Sequence, residues 1–178
     1  AVGDRMAEHL RALSVPDDRI AMIPNWTDGA FVHPVERKAN TLRRTWELGD
    51  DFVVGYSGNL GRAHEIETLL EAMRAVRAPG GDRTGPDERS PAVRWLFVGG
   101  GALVKDLHAE VARRGVGGVS FRPYAAREDL PFSLSAADVH LVTLRPEMEG
   151  LVVPSKIYGI AAAGRPRTGT GRRAARRG

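Results

Sequence analysis

A ten-residue stretch at positions 147–156, EMEGLVVPSK, brings two carboxylates, a glycine and a lysine together. The pattern is typical of a strand end, a turn at Gly150 and a new helix with Pro154 at its first position, where the missing N–H of proline has no cost. The unpaired N–H groups of a first helical turn lie at the positive end of the helix dipole, where phosphate binds. We therefore expect this turn to hold a phosphate group.

Charged and hydroxyl side chains flank the turn on both sides. Glu147 and Glu149 precede it, where a sugar attached to the phosphate would lie, and we favour Glu149 for a contact with that sugar because it adjoins the glycine. The alternative is that both are solvated loop acids. Ser155 and Lys156 either contact the phosphate or form an ordinary first turn, although a lysine at this end of a helix opposes the dipole and so requires an anion.

The overall composition is that of a globular domain with a basic tail. Its 178 residues carry a net charge of +4, but five arginines follow Pro166, so the preceding residues are nearly neutral. Arginines without interleaved aromatic residues are a weak signal for nucleic acid, and we expect no specific nucleic-acid partner. The sequence has no cysteine, which excludes disulfides and thiolate metal sites, and its histidines lack the spacing of metal ligands. The tryptophans are expected to pack in the core or between domains; they are Trp26, Trp46 and Trp95.

Short apolar runs that alternate with helical periodicity predict a parallel sheet covered by helices on both faces. Strands are expected at residues 52–57, 93–98, 119–121 and 139–144, with a further short strand at 20–23. Helices are expected at residues 1–14 and 41–47, around Leu69 and Leu107, and at 127–134 and 154–163. Residues 78–91, rich in proline, glycine and charge, predict a mobile loop.

In such sheets, ligands bind beyond the carboxyl ends of the strands. Glycine-rich or polar clusters follow four predicted strands, at residues 58–64, 99–101, 122–124 and 147–156, and we expect them to line one crevice. The run of glycines at 99–101 lacks the G-x-G-x-x-G register of dinucleotide sites and has Arg122 where an acidic residue would bind the ribose. It therefore predicts a tight strand-to-helix turn that lines the crevice.

Five segments, in order, resemble the C-terminal, donor-binding half of a GT-B glycosyltransferase of group 1, family 4. They are IPNWTD, YSGNLGRAHEIETLLEA, RWLFVGGGALVKDLHAE, VSFRPYAAREDLPFSLSAADVHLV and EGLVVPSKIYGIAAAGRP. The likeness runs from about Asp4 to Pro166, and its last segment most resembles a bacterial branch that builds surface polysaccharides of the colanic-acid and O-antigen type. The expected fold class is accordingly α/β, a Rossmann-like parallel sheet with helices on both faces, truncated at its C-terminal end.

The resemblance implies transfer of a sugar, with retention at the anomeric carbon, from a nucleoside-diphosphate sugar to a glycan or lipid-linked acceptor. UDP is the expected nucleotide. The donor would lie between two Rossmann-like domains, and the acceptor mainly on an N-terminal domain absent from this chain. No metal or other cofactor is expected, because such enzymes hold the diphosphate with basic side chains and a helix N-terminus. The resemblance also implies a cytoplasmic location, with peripheral association of the full enzyme at the inner face of the membrane.

The resemblance also assigns roles to individual residues. Tyr124 would lie beside the base, and Glu147 or Glu149 near the donor sugar. The diphosphate would be contacted by Gly58, Asn59, Gly61, Arg62, His64, Gly150, Leu151, Val152, Ser155 and Lys156.

The chain departs from the family pattern in its first glycine loop. Relatives have an arginine after the first loop glycine and a lysine five residues later, whereas this chain has Asn59 and His64. Arg62 would then supply the cation, and His64 is either a phosphate ligand or a surface histidine near a helix start. The second glutamate, which binds the ribose in many relatives, falls on Gly159 or Ser155 here, so ribose binding has no assigned residue.

Three parts of the chain are expected: residues 1–24 as the end of a preceding domain or linker, 25–166 as an incomplete nucleotide-sugar-binding domain, and 167–178 as an arginine-rich tail outside the family pattern. Because relatives continue with a buried strand at this point, we expect missing strands and an exposed sheet edge. The chain alone would then be inactive or bind nucleotide weakly. The alternatives are a nucleotide-sugar epimerase of the same architecture, and a noncatalytic remnant or nucleotide-binding module.

Overall fold

The computed structural model describes residues 1–76 and 92–170. The predicted loop at 78–91 and the end of the arginine-rich tail lie outside these residues. Within them, every helix is too short or too polar to cross a membrane.

Five parallel strands form one sheet in the order β3-β2-β1-β4-β5. This is the strand order of the Rossmann fold, and it confirms the predicted fold class. The strands are β1 (Phe52–Asn59), β2 (Val93–Gly100), β3 (Val119–Arg122), β4 (Val139–Thr143) and β5 (Arg167–Thr170).

Six α-helices accompany the sheet within the described residues. They are α1 (Asp4–Ala12), α2 (Thr41–Thr45), α3 (Glu67–Ala75), α4 (Val104–Arg113), α5 (Leu130–Ser135) and α6 (Lys156–Ala162). Short 3-10 turns lie at Asp17–Arg19, Arg37–Ala39 and Pro146–Met148.

Side chains of the central strands alternate between the two faces of the sheet, and each face forms its own apolar cluster with the helices and loops that cover it. On one face, Tyr56 and Phe97 pack with Leu70 of α3 and Leu107 of α4. On the other, Val53, Leu96 and Val98 pack with Leu48, Ala136 and Ala137. Each large apolar side chain that becomes fully buried stabilises the fold by about 1.5–3 kcal/mol.

At the amino ends of β1 and β4, Asp138 joins the two strands to the segment before β1. Its carboxylate accepts a hydrogen bond from the Val53 N–H at 2.8 Å and pairs with Arg37 at 2.6 Å. The buried guanidinium of Arg43 lies 3.6 Å from the same carboxylate and donates to the carbonyl oxygens of Gly49 and Asp51. These contacts hold β1 against β4 at one end only.

Pairing between β1 and β4 is short. The ladder consists of Val54 with Val139 and Gly55 with His140. A side chain at Gly55 would place its Cβ 2.5 Å from the Ala137 Cβ, so this close approach requires glycine. Beyond these two pairs the strands separate towards their carboxyl ends, which opens a crevice at the point where the strand order reverses.

Two predictions about secondary structure are wrong. Residues 20–23 form no strand: they follow the 3-10 turn at Asp17–Arg19, and the Ile23 N–H bonds to the carbonyl of Ala1 instead of a sheet. The strand that relatives have after Pro166 was expected to be missing, yet Arg167–Thr170 pairs with β4 as an edge strand. Backbone hydrogen bonds are independent of side-chain type, so a segment without apolar residues can still extend the sheet.

The contribution of β5 can be measured by truncation. Removing residues 167–178 should lower the free energy of unfolding by about 2 kcal/mol, since the ladder with β4 is lost and each hydrogen bond contributes about 1 kcal/mol. Removing only residues 171–178 leaves the strand intact and serves as the control. Urea denaturation measures both; equal stability of the two truncated proteins would contradict the pairing.

Candidate functional site

A cavity of about 740 Å³ opens at the carboxyl ends of β1 and β4. One side is formed by the loop that follows β1, and the other by the segment that leads into α6. The residues that line it include Trp26, Thr27, Gly58, Asn59, Gly61, Arg62, His64, Tyr124, Val152, Val153, Pro154, Ser155, Lys156 and Gly159. The cavity is lined by three of the four predicted clusters, residues 58–64, 122–124 and 147–156, whereas residues 99–101 do not line it, and most of the predicted site residues do.

Glycines allow the loops after β1 and β2 to meet at the crevice. Gly58 and Gly99 have φ angles of 126° and 133°, and a Cβ at Gly99 would overlap the Gly58 carbonyl oxygen. The Leu60 N–H donates to the Gly100 carbonyl at 2.7 Å, and the Leu103 N–H donates to the Leu60 carbonyl at 3.0 Å. The glycine run at 99–101 is thus a tight strand-to-helix turn, as predicted.

Lys156 is the most unusual group of the cavity. Its Nζ is buried and has no hydrogen-bond partner among the described residues. It lies 3.5 Å from the centroid of the Tyr56 ring, a cation–π contact that offsets part of the desolvation cost. Burial lowers the pKa of Lys156 to about 7. A lysine in this setting is stabilised by any anion that enters the cavity.

His64 is buried below the loop and is bonded through both ring nitrogens. Nδ1 lies 2.7 Å from the Thr143 carbonyl oxygen and 2.9 Å from Thr143 Oγ1, and Nε2 lies 3.1 Å from the Tyr56 hydroxyl. Burial, followed by the charge of Lys156, lowers the pKa of His64. The interpretation of this ring as a phosphate ligand or as a surface histidine is therefore wrong, because neither nitrogen is left for an external group.

The carboxylates predicted to contact the donor sugar are not among the residues that line the cavity. Glu147 and Glu149 are exposed, and Glu149 pairs with Arg5 of α1 at 3.6 Å. Gly150, with φ at 83°, also lies outside the cavity, against the Arg5 carbonyl. The Glu149 carboxylate faces Arg5 of α1, neither carboxylate lines the cavity, and the prediction of a sugar contact for them is not supported.

The turn at Gly150 also differs from the prediction. The N–H groups of Leu151 and Val152 both donate to the Met148 carbonyl, at 3.1 and 3.0 Å, so they are not free for phosphate. Leu151 does not line the cavity, and Val152 lines it. The helix begins at Lys156, so Pro154 lies before its first position.

The free N–H groups lie a few residues further on. In the described parts of the chain, no hydrogen-bond acceptor is recorded for the N–H groups of Val153, Ser155 and Lys156. These groups adjoin the cavity because Val153, Ser155 and Lys156 all line it.

Tyr124 also lines the cavity and is 60% exposed. One face of its ring covers the backbone of Gly99 and Gly100, where an added Cβ would lie 3.1 and 3.2 Å from ring atoms. Arg62 and Asn59 are exposed at the rim. The crevice thus contains an aromatic ring, Tyr124, and two cationic residues, Arg62 and Lys156.

Sequence reasoning missed three residues of the site. Tyr56 and Thr143 lie at the ends of β1 and β4 and bond to His64. Trp26 was expected in the core or between domains but is 81% exposed and lines the cavity, whereas Trp95 is buried in the core. Tyr56 and Thr143 carried no signal in the sequence because each lies in an ordinary strand pattern.

No group of three or more histidine or acidic side chains that could hold a metal ion occurs in residues 1–76 and 92–170. The absence of a metal requirement stays a prediction.

Comparison with known proteins gave two curated bacterial relatives, although no family model matches the sequence. The chain is 30% identical over 152 residues to the putative colanic acid biosynthesis glycosyl transferase WcaI of Escherichia coli, which covers 84% of this chain and 34% of WcaI. It is 31% identical over 163 residues to the probable glycosyltransferase WbjE of Pseudomonas aeruginosa, which covers 91% of this chain and 38% of WbjE. The chain thus spans little more than a third of the length of these relatives.

Among solved structures, the chain is similar to HepE from Anabaena in complex with UDP-glucose. The TM-score is 0.69 at 22% identity, over 92% of this chain and 42% of HepE. The two relatives show that the chain belongs to the glycosyltransferases, and the structural similarity shows its fold, that of one Rossmann-like domain of a GT-B enzyme.

Proposed function

We propose that this chain is the donor-binding half of a retaining glycosyltransferase and binds a nucleoside-diphosphate sugar, with UDP as the nucleotide, in the crevice between β1 and β4. The observation that carries the proposal is the Lys156 ammonium, which adjoins the cavity, is buried and has no partner in the described residues.

An unpaired ammonium in a protein interior is costly. Its desolvation lowers stability by several kcal/mol unless an anion or hydrogen-bond acceptor compensates for it. No carboxylate does so among the described residues, since the ion pairs recorded there involve arginines. A diphosphate in the crevice would supply the missing negative charge and raise the proportion of charged Lys156.

The segment before α6 suits the same ligand. The N–H groups of Val153, Ser155 and Lys156 are free to donate, and Arg62 adds a permanent cation at the opposite rim. In the transfer reaction, the bond between the sugar and the diphosphate breaks and negative charge develops on the leaving diphosphate. Cations and N–H groups fixed around that position stabilise the transition state more than the ground state.

Tyr124 supports a nucleoside in the same crevice. One ring face is taken by the glycine backbone, and the 60% exposed ring leaves room for a base to stack. HepE, which shares this fold, has been solved with UDP-glucose, and this favours UDP among the nucleotides.

The acceptor is proposed to be a glycan or a lipid-linked sugar, since WcaI is described as a colanic acid biosynthesis enzyme. We expect it to bind mainly on a second domain, with the full enzyme in the cytoplasm at the inner face of the membrane. Reacting groups must be held within near-attack distance, so one half of the cleft should bind the donor without transferring its sugar. The relatives described above are glycosyltransferases, and none of them favours an epimerase.

Replacing Lys156 tests the phosphate contact. Lys156→Met should weaken binding of UDP by about 30-fold or more, because a charge-assisted contact contributes roughly 2 kcal/mol or more. Lys105→Met, on the exposed surface of α4, is the matched control and should bind UDP like the unmodified chain. Isothermal titration with UDP, GDP and NAD measures this. Unchanged UDP binding by Lys156→Met, or equal binding of NAD, would contradict the proposal, and no binding of any nucleotide would favour a noncatalytic remnant.

Replacing Tyr124 separates the base from the diphosphate. Tyr124→Ala should weaken UDP binding by about 10-fold, since stacking of a base on an aromatic ring contributes about 1–3 kcal/mol. Binding of inorganic pyrophosphate should stay the same, because that ligand has no base. Titration of both ligands into both proteins checks this. An equal loss for UDP and pyrophosphate would mean that Tyr124 does not lie beside the base.

Stability should depend on pH through Lys156. Its pKa is about 7 in the folded chain and 10.5 without burial, so between these values the unfolded chain binds more protons. The free energy of unfolding therefore rises with pH in this window, by about 1–2 kcal/mol from pH 7 to pH 9. Lys156→Met should remove this rise and Lys105→Met should retain it, as measured by urea denaturation. The same slope in all three proteins would show that Lys156 has an ordinary pKa.

A further inference from the structure

The separation of β1 and β4 leaves their carboxyl ends without a common ladder. The ladder ends at Gly55 and His140, whereas β1 continues to Asn59 and β4 to Thr143. Something else must set the width of the crevice at this level, because strands that share no hydrogen bonds can move apart.

His64 spans this gap. Nδ1 lies within hydrogen-bond distance of the Thr143 carbonyl oxygen and Oγ1, and Nε2 lies 3.1 Å from the Tyr56 hydroxyl, whose one hydrogen is donated to the Asn59 carbonyl oxygen. The ring therefore contacts β4 through one nitrogen and β1 through the other. The backbone of the same loop is fixed to the segment after β4, since Arg145 donates from its backbone N–H to the Ala63 carbonyl and from Nε to the His64 carbonyl, both at 2.9 Å. The imidazole is 8% exposed.

The Tyr56 ring connects this bridge to the cation. Its edge faces the His64 ring, with ring centroids 5.6 Å apart, and the Lys156 Nζ lies 3.5 Å from its centroid. The Tyr56 hydroxyl is also 2.8 Å from the Asn59 carbonyl oxygen. The Tyr56 hydroxyl thus has two partners, His64 and Asn59, and loss of the imidazole would remove one of them.

We propose that His64 is a positioning residue of the donor site: its imidazole joins the carboxyl ends of β1 and β4 and holds the Tyr56 ring beneath the Lys156 ammonium. The inference rests on the proposed function of Lys156 and adds a role for a residue that contacts no donor atom. It also accounts for a histidine at this place, because a lysine has no second nitrogen with which to bridge Thr143 and Tyr56.

The charged and titratable groups around His64 come from three elements. They are Tyr56 on β1, Lys156 on α6 and Arg145 after β4. A second positive charge on the imidazole would lie next to Lys156, and the neutral ring avoids this repulsion.

The first experiment is a double-mutant cycle on UDP binding. His64→Ala should weaken UDP binding by about 10-fold, but should change it less than twofold when Lys156→Met is already present, because His64 acts through the lysine. His64→Gln, whose amide reaches towards Tyr56, should restore part of the affinity. Equal effects of His64→Ala in both backgrounds would overturn the inference. No UDP binding by the unmodified chain would instead overturn the proposed function.

The second experiment needs no ligand. An aliphatic group over an aromatic ring resonates upfield, so the Lys156 ε-CH₂ signal should lie upfield of those of Lys38 and Lys105, the other two lysines of the chain. His64→Ala should move the Lys156 signal to the position of the other two, and His64→Gln should leave it upfield. Circular dichroism and urea denaturation establish that each variant is folded. An upfield signal that persists in folded His64→Ala would show that Tyr56 stays in place without the histidine, which overturns the inference whether or not UDP binds.

Discussion

The short pairing of β1 with β4 is the constraint on which the candidate site depends. Two residue pairs join the strands, and the Asp138 carboxylate fixes their amino ends. At the carboxyl ends, the strands separate and the cavity opens between them. A Rossmann-like sheet binds its ligand where the strand order reverses. At this point the loops after two neighbouring strands lead to helices on opposite faces of the sheet, which leaves a crevice between the loops.

Lys156 illustrates how a binding site can lower the stability of the protein that carries it. The ammonium is desolvated, its compensation within the described residues is the face of one aromatic ring, and its pKa falls to about 7. A methionine in its place would avoid this cost. Binding sites whose charged groups are arranged for a ligand commonly lower the stability of the free protein, and binding of the ligand stabilises the folded state again.

The segment around Gly150 shows why a motif does not determine which of its groups are free. The turn forms as expected, but its own carbonyl at Met148 accepts the N–H groups of Leu151 and Val152. The free N–H groups lie at residues 153–156 instead. Likewise, Glu149 adjoins the glycine in sequence yet pairs with Arg5, since α1 packs on that side. The first outcome depends on the conformation of one turn. The second depends on a contact between two segments that are far apart in the chain.

Local sequence patterns were enough to predict the α/β class, the positions of the first four strands and the four loops at their carboxyl ends. These follow from local patterns, namely short apolar runs, helical periodicity and glycines, whose physical basis lies within a few residues. The sequence also pointed to Lys156, Tyr124 and Arg62 as groups of one crevice. Three features depended on the tertiary structure: His64 bridges Tyr56 and Thr143, Glu147 and Glu149 lie outside the cavity, and the start of the arginine-rich tail adds the edge strand β5. Hydrogen bonds join residues that are far apart in the chain, such as His64 and Thr143 at a separation of 79 positions, and no local pattern encodes such a distance.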